Sequence, residues 1–402
     1  MGEAPTDARK PVRILAVDVG TGTQDVLLFE SDRTIENCLQ MVMPSPTVIV
    51  AERIRRATAA GQPVLLTGRI MGGGPCAWAA RDHAQAGYPC FATADAARTL
   101  DDDLTQVEAL GLHIVSDEEA QQLQARMGEP LVTIEMRDFD AAALQRAFSA
   151  FGVDPTVDAV AVAAFDHGAA PPGISDRRFR FGIIADRVRQ RPDPLAFAYR
   201  AEDVPADLTR LAAVAAEAGA YPIAAQHEQR AGQKLPAFVM DTGAAALAGA
   251  LEDAQVRGQA EALVANIGNF HTLAFHLRAG RILGLFEHHT GELDLPRLEG
   301  YLRELAAGTL DNERIFADSG HGALILAAPH MSAKPHDPLP FLAVTGPRRA
   351  LLRGSSLAPY EATPHGDMML AGCFGLLRAV AALAPELAPA IEGVLGQAVS
   401  IP

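Results

Sequence analysis

Lysine is nearly missing from this chain of 402 residues: it occurs only at Lys10, Lys234 and Lys334, among 34 basic residues. None of the three sits in a glycine-rich loop. A Walker-type phosphate loop, which sets a lysine against the outer phosphates, is therefore excluded. Cysteine is scarce too, at Cys38, Cys76, Cys90 and Cys373, with no C-x-x-C pair. That spacing speaks against a zinc knuckle or a Cys-ligated iron–sulfur cluster, and against radical chemistry needing three clustered cysteines. The thiols are expected to be mostly buried and inert, and the location cytoplasmic. No run of about 18 apolar residues occurs, so no membrane span is expected. The polar stretch 1–11 lacks the apolar core of a signal peptide and is expected to be a frayed leader. Positive charge is in deficit, 34 Lys+Arg against 49 Asp+Glu, for a net −15. A broad nucleic-acid surface or attraction to anionic membranes is not expected from that balance.

What is present is a globular composition, 49% hydrophobic and 21% charged, long enough for two or three domains. The most informative stretch is 14–29. An apolar strand ends on Asp18, a turn of small residues follows, and a second strand resumes at once. Gly20 and Gly22 allow a tight turn with no Cβ between backbone and ligand. Thr21 and Thr23 offer hydroxyl and N–H donors to phosphate oxygens. Asp18 is placed to bind Mg²⁺, directly or through its waters. The bland alternative is an ordinary hairpin whose aspartate bonds its own turn.

Strand and helix patterns alternate after this hairpin. Strands are expected at 36–43, 64–67, 89–92, 113–115, 131–136 and 157–165. Helices are expected at 47–60 with Thr47 as cap, from Pro75 to near 87, at 140–151 and at 206–218. The segments 171–173 and 192–205 read as loops. This alternation predicts an α/β domain with a largely parallel sheet. A polar stretch at 226–236 marks a boundary, giving domains at 11–235 and 236–402. The second domain opens with a small-residue helix at 242–253. A strand at 263–267 and a hairpin of 272–278 with 281–286 follow. A helix at 295–307, a strand at 341–344 and a helix at 367–383 complete it.

Two strand–turn–strand units, each in its own half, with a small-residue helix before the second and another near the end, resemble the actin, Hsp70 and sugar kinase superfamily. The resemblance implies a two-domain actin-like ATPase (ribonuclease H-like) α/β fold with a nucleotide cleft between the domains. It makes 18–25 the first phosphate motif and 266–272 the second, with Asn266, Gly268, Asn269 and Thr272 as nucleotide contacts. The adenosine motif falls at 344–348, with Gly346 and Arg348. ATP and Mg²⁺ are the implied cofactors. More narrowly, the chain resembles a prokaryotic family of unknown function loosely named for pyruvate formate-lyase activation. The missing cysteine cluster contradicts that name if it means radical chemistry.

One departure matters. The second motif usually begins with Asp, and Asn266 brings no charge to a metal. Glu287, Glu292 and Asp294 are candidates to replace it, and Glu292 is taken with Asp18 and Asn266 as the metal set. Asp166, ending a buried strand, is a candidate catalytic base beside Asp18; the alternative is a turn aspartate. Gly72, Gly73 and Gly74, before a helix opened by Pro75, are candidate substrate contacts, as are His167, His288 and His289. Neighbours on a strand point to opposite faces, so only one of His288 and His289 can face the cleft. Zinc is not expected without a spacing such as H-x-x-x-H. His321, between Gly320 and Gly322, is a further candidate. The resulting expectation is an ATP-binding, Mg²⁺-dependent enzyme that phosphorylates or activates a small molecule. The alternative is a slow nucleotide-gated switch or activator acting on a protein partner.

Overall fold

The computed structural model describes residues 10–221, 235–327 and 339–396. Residues 1–9 of the expected leader and 226–234 of the expected boundary lie outside them.

The opening stretch forms β1 (Arg13–Val19) and β2 (Thr23–Glu30), paired antiparallel with Asp18 opposite Asp25. β3 (Leu39–Pro44) extends this meander. Pro46 then opens α1 (Pro46–Ala59), at a position where its missing N–H costs nothing. The expected cap, Thr47, lies inside the helix. Its hydroxyl instead donates to the Gly73 carbonyl at 2.6 Å, tying the helix start to the glycine loop.

An inserted unit follows, with β4 (Val64–Gly68), α2 (Pro75–Gln85), β5 (Cys90–Thr93), β6 (His113–Val115) and β7 (Val132–Met136). Its strands run parallel in the order β6-β5-β4-β7. The order reverses between β4 and β7, and the glycine loop leaves β4 at that reversal, where open α/β sheets present ligand sites.

The chain then rejoins the first sheet as β8 (Ala159–Ala164), parallel to β1. Next come α3 (Asp176–Gln190), β9 (Ala198–Arg200), α4 (Thr209–Gly219) and β10 (Ala237–Asp241). The sequence gives no hint of α3, because its buried side carries Arg180, which interrupts the apolar period. β10 lies beyond the expected boundary at 235/236 yet pairs with β8 in the first sheet.

The second half starts with α5 (Thr242–Ala250), capped by Asp241, and builds β11 (Glu261–Ile267), β12 (His271–Arg278) and β13 (Arg281–His289). Then come α6 (Leu295–Ala307), β14 (Gly322–Ile325), β15 (Phe341–Thr345), β16 (Tyr360–Glu361) and α7 (Ala371–Leu383).

The two large sheets repeat one plan. The first runs β3-β2-β1-β8-β10 with β9 at its edge; the second runs β13-β12-β11-β15-β16 with β14 at its edge. In each, an antiparallel meander of three strands is followed by two strands parallel to the first of them. This duplicated ribonuclease H-like plan is the two-domain actin-like fold. Helices α5 and α7 cross between the sheets, and one apolar cluster spans both halves through them. A Cβ on Gly249 would lie 1.7 Å from the Ala371 carbonyl oxygen, and one on Gly375 would lie 2.0 Å from that of Ala245. Backbone meets backbone there, so only glycine fits. Among the described residues, no helix is long and apolar enough to cross a membrane.

Candidate functional site

The two hairpins close their turns in the same way. Gly20 N–H donates to the Thr23 carbonyl at 2.9 Å, and Gly268 N–H donates to the His271 carbonyl at 2.9 Å. Counting from these glycines, Asn266 stands where Asp18 stands, Leu273 where Asp25 stands, and His271 where Thr23 stands. The turns meet tip to tip: a Cβ on Gly22 would lie 2.7 Å from Asn269 Nδ2. Between them opens a cleft of ≈ 540 Å³, within the usual size range of ligand pockets. Gly20, Thr21, Gly22 and Thr23 line one wall, and Asn266, Gly268, Asn269 and Gly346 line the other. Gly346 has φ +95°, and its backbone passes so close to Asn266 that a Cβ would lie 2.5 Å from Oδ1.

The floor carries paired acids. Asp18 accepts from the Thr242 hydroxyl at 2.6 Å. Burial pushes its carboxyl up to about 7, with the Thr242 bond pulling the other way. Asp25 is pushed up to about 8, by burial first and then by the charge of Asp18. Asp25 Oδ1 is buried with no hydrogen-bond partner among the described residues. Two crowded buried carboxylates, one with an orphaned oxygen, suit a hard cation that takes oxygen ligands, as Mg²⁺ does. The residues therefore fit Mg²⁺ on the Asp18 side. On the opposite side, the places of both acids hold Asn266 and Leu273, which bring no charge.

The inserted unit closes a third wall. Gly72, Gly73 and Gly74 line the cleft, and the loop is held rather than slack. Gly72 N–H donates to Asp138 Oδ1 at 3.1 Å, and Asp138 is gripped by Arg210 at 2.7 and 3.0 Å. Gly74 has φ +67°, and a Cβ there would lie 2.7 Å from the Phe270 ring on the second hairpin. Trp78 on α2 approaches the same ring at 5.7 Å between centroids. The insertion and the second hairpin thus touch across the cleft mouth.

The other expected residues either lie outside the cleft or line it with their polar atoms already bonded. Asp166 lines the cleft, but its two carboxylate oxygens accept from Gly168 N–H and Leu211 N–H, each at 2.8 Å. It thus ties a turn to the start of α4 while facing the cleft. Thr272 is buried, and its hydroxyl bonds Thr290 at 2.9 Å inside the sheet, away from the cleft. Arg348 is exposed and outside the cleft lining, because its segment turns outward after Pro347. Glu292 is likewise exposed on a one-turn helix beyond β13 and does not line the cleft. Asp294 caps α6 through Arg297 N–H. Glu287 does line the cleft, but it is paired with Arg180 at 2.6 and 2.8 Å. Arg180 also meets Asp241 at 2.9 Å, so this buried guanidinium pins α3 to both sheets.

The histidines sort by strand face, as expected. His288 is fully buried near the Tyr301 ring and 3.6 Å from Asp318, out of the cleft. His289 points the other way, toward His271 and His321, at 5.1 and 4.7 Å between centroids. His167 lines the cleft near the same group. His271, like Asp25 on the floor, is a residue the sequence missed. The signal was available: measured from the turn glycine, it occupies the place of Thr23. His321, the further candidate, is buried beside them.

Comparison with known proteins adds a family and several distant structures. The family model described as "Putative pyruvate format-lyase activating enzyme (DUF1786)" matches residues 71–351. No curated protein matches. Among solved structures, the PPX-GPPA enzyme of Aquifex aeolicus is 7% identical, covers 84% of this chain and 68% of its own, and has a TM-score of 0.23. An acetone carboxylase, described as nucleotide-free and of ATP-dependent mechanism, is 9% identical over 69% of this chain, with a TM-score of 0.22. The chain spans 45% of the length of that carboxylase. A carbohydrate kinase from Novosphingobium aromaticivorans is 12% identical, covering 94% of this chain and 88% of its own, with a TM-score of 0.22.

Proposed function

This chain belongs to the DUF1786 family, and from that premise and the geometry of its cleft we propose that it binds ATP with Mg²⁺ between its two hairpin turns and uses it on a small molecule. The observation that carries the proposal is the facing pair of glycine turns, Gly22 against Asn269, above the buried acids Asp18 and Asp25. Backbone N–H groups of both turns would receive phosphate oxygens. Asp18 and Asp25 would hold Mg²⁺, which offsets phosphate charge during transfer. Catalysis of this kind is mostly positioning, and the held loop 72–74 with Arg210 behind it supplies a wall for the acceptor. An acceptor hydroxyl or carboxylate would attack the γ-phosphorus, and ADP would leave. A metal cluster held by three cysteines finds no support in the thiols. All four are buried, and among the described residues none joins a metal-ligating group.

A second reading, a slow switch answering to a protein partner, is favoured by one observation. Both oxygens of Asp166, the expected base, already accept from backbone N–H groups, which would slow proton removal from an acceptor. ADP formation by the purified full chain with Mg-ATP separates the two. A pool of small hydroxy- or carboxy-compounds that raises turnover at least tenfold supports the enzyme. Turnover indifferent to every pool, but raised by a protein fraction from a proteolysed-versus-intact comparison, supports the switch. No turnover under either condition contradicts both.

A further inference from the structure

Beside the phosphate turns lies a group of imidazoles that the nucleotide reading does not use. His271 starts β12, and its register partner is His289, at the end of β13. The two rings therefore share a face of the sheet. His321 reaches them from the loop before β14. One ring nitrogen from each of these three residues can be chosen so that all lie within 4.8 Å of one another. We propose that His271, His289 and His321 form a site for a first-row transition ion of the zinc type, with an open coordination position toward the cleft.

Three observations carry this. First, the donor atoms are orphaned. His271 Nε2 and both ring nitrogens of His321 are buried with no hydrogen-bond partner among the described residues. Leaving a buried polar atom unsatisfied costs about 1–3 kcal/mol each, and one metal ion would satisfy a lone pair on every ring. Second, outer partners are in place. His289 Nδ1 lies 2.8 Å from the Ser319 carbonyl, so that nitrogen carries the proton and Nε2 presents its lone pair. Glu287 Oε2 lies 3.7 Å from His321 Nδ1, too far for a hydrogen bond as it stands but near enough to orient that ring once Nε2 holds an ion. Third, the backbone that delivers these groups is strained. Ser319 has φ +68°, a conformation that non-glycine residues adopt at a cost and that gathers at functional sites.

Charge permits a cation here, because Arg180 is matched by both Glu287 and Asp241. A tetrahedral ion with bonds of about 2.1 Å would draw the nitrogens to about 3.4 Å apart, a modest rotation of the rings. Imidazole donors select zinc-like ions over Mg²⁺. His167, 5.8 Å from His271 and 6.2 Å from His321 between centroids, stands on the cleft side, where the open position or a fourth ligand would be.

The test needs no nucleotide, so its failure is separable from failure of the nucleotide proposal. Tag-free full chain is stripped with chelator and titrated with Zn²⁺ by calorimetry, and with Co²⁺ by visible absorption. The parent should bind one Zn²⁺ per chain and give the intense bands of four-coordinate Co²⁺. His289→Ala, which alters a partly exposed ring, should weaken Zn²⁺ at least 100-fold. His321→Gln should do the same while near-native circular dichroism is kept, and exposed His113→Ala should change nothing. The proposal is overturned if the parent takes up no stoichiometric Zn²⁺. It is equally overturned if folded His289→Ala binds as the parent does.

Discussion

Single side chains in this protein are read best by what their polar atoms touch. Asp166 and Asp18 both end buried strands, and the sequence offers them equal claims to chemistry. The structure parts them: Asp166 has both oxygens engaged by backbone N–H groups, whereas Asp18 has one hydroxyl partner and sits beside the orphaned oxygen of Asp25. Glu217 shows the same logic away from the cleft. It accepts from Phe139 N–H at 3.1 Å, next to the Asp138–Arg210 pair that holds the glycine loop. Burial pushes its carboxyl up to about 7 from 4.5. The unfolded chain therefore ionises first, and ionisation favours unfolding from about pH 4.5 upward until the folded group also ionises near 7. Glu217→Gln keeps the acceptor and removes that loss. In unfolding free energy from urea denaturation, the variant should match the parent at pH 4 and exceed it at pH 8 by on the order of 1–3 kcal/mol, at the lower end given partial exposure. Equal differences at both pH values would contradict this assignment.

At the scale of elements, the strands and helices that were legible in sequence are those whose burial pattern follows a single period. β1, β8 and β11 are apolar runs covered on both faces, as parallel strands are. Helix α3 was not legible, because its buried face includes an arginine that answers carboxylates on β10 and β13. β10 was not legible either, since five residues directly ahead of a small-residue helix carry little signal of their own. The small-residue helices α5 and α7 were legible, but their purpose only appears in contact. Gly249 and Gly375 let the two backbones touch. Gly375→Ala should therefore lower unfolding stability by about 1–3 kcal/mol through overpacking, measured by urea denaturation. A change below about 0.5 kcal/mol would mean that the helices part easily.

For the whole molecule, the sequence reveals the duplication through its two hairpins, and the sheets bear it out strand by strand. What the sequence did not reveal is how unequal the halves are at the cleft. The first hairpin brings Asp18 and Asp25, while the second brings Asn266, Leu273 and a histidine that belongs to a cluster assembled from three separate segments. Long-range assembly of that kind leaves no local spacing to read, which is why no H-x-x-x-H pattern announced it. The insertion adds a third wall through Gly74, Trp78 and Phe270. Together these features make one molecule in which two glycine turns face each other over a single pair of acids. The most direct test is a calorimetric titration of Mg-ATP into the full chain and into Asp18→Ala. One nucleotide bound per parent chain, with binding lost in a folded Asp18→Ala, is the predicted result. A parent that releases no heat at millimolar nucleotide, or an Asp18→Ala chain that binds as tightly as the parent, would contradict the account.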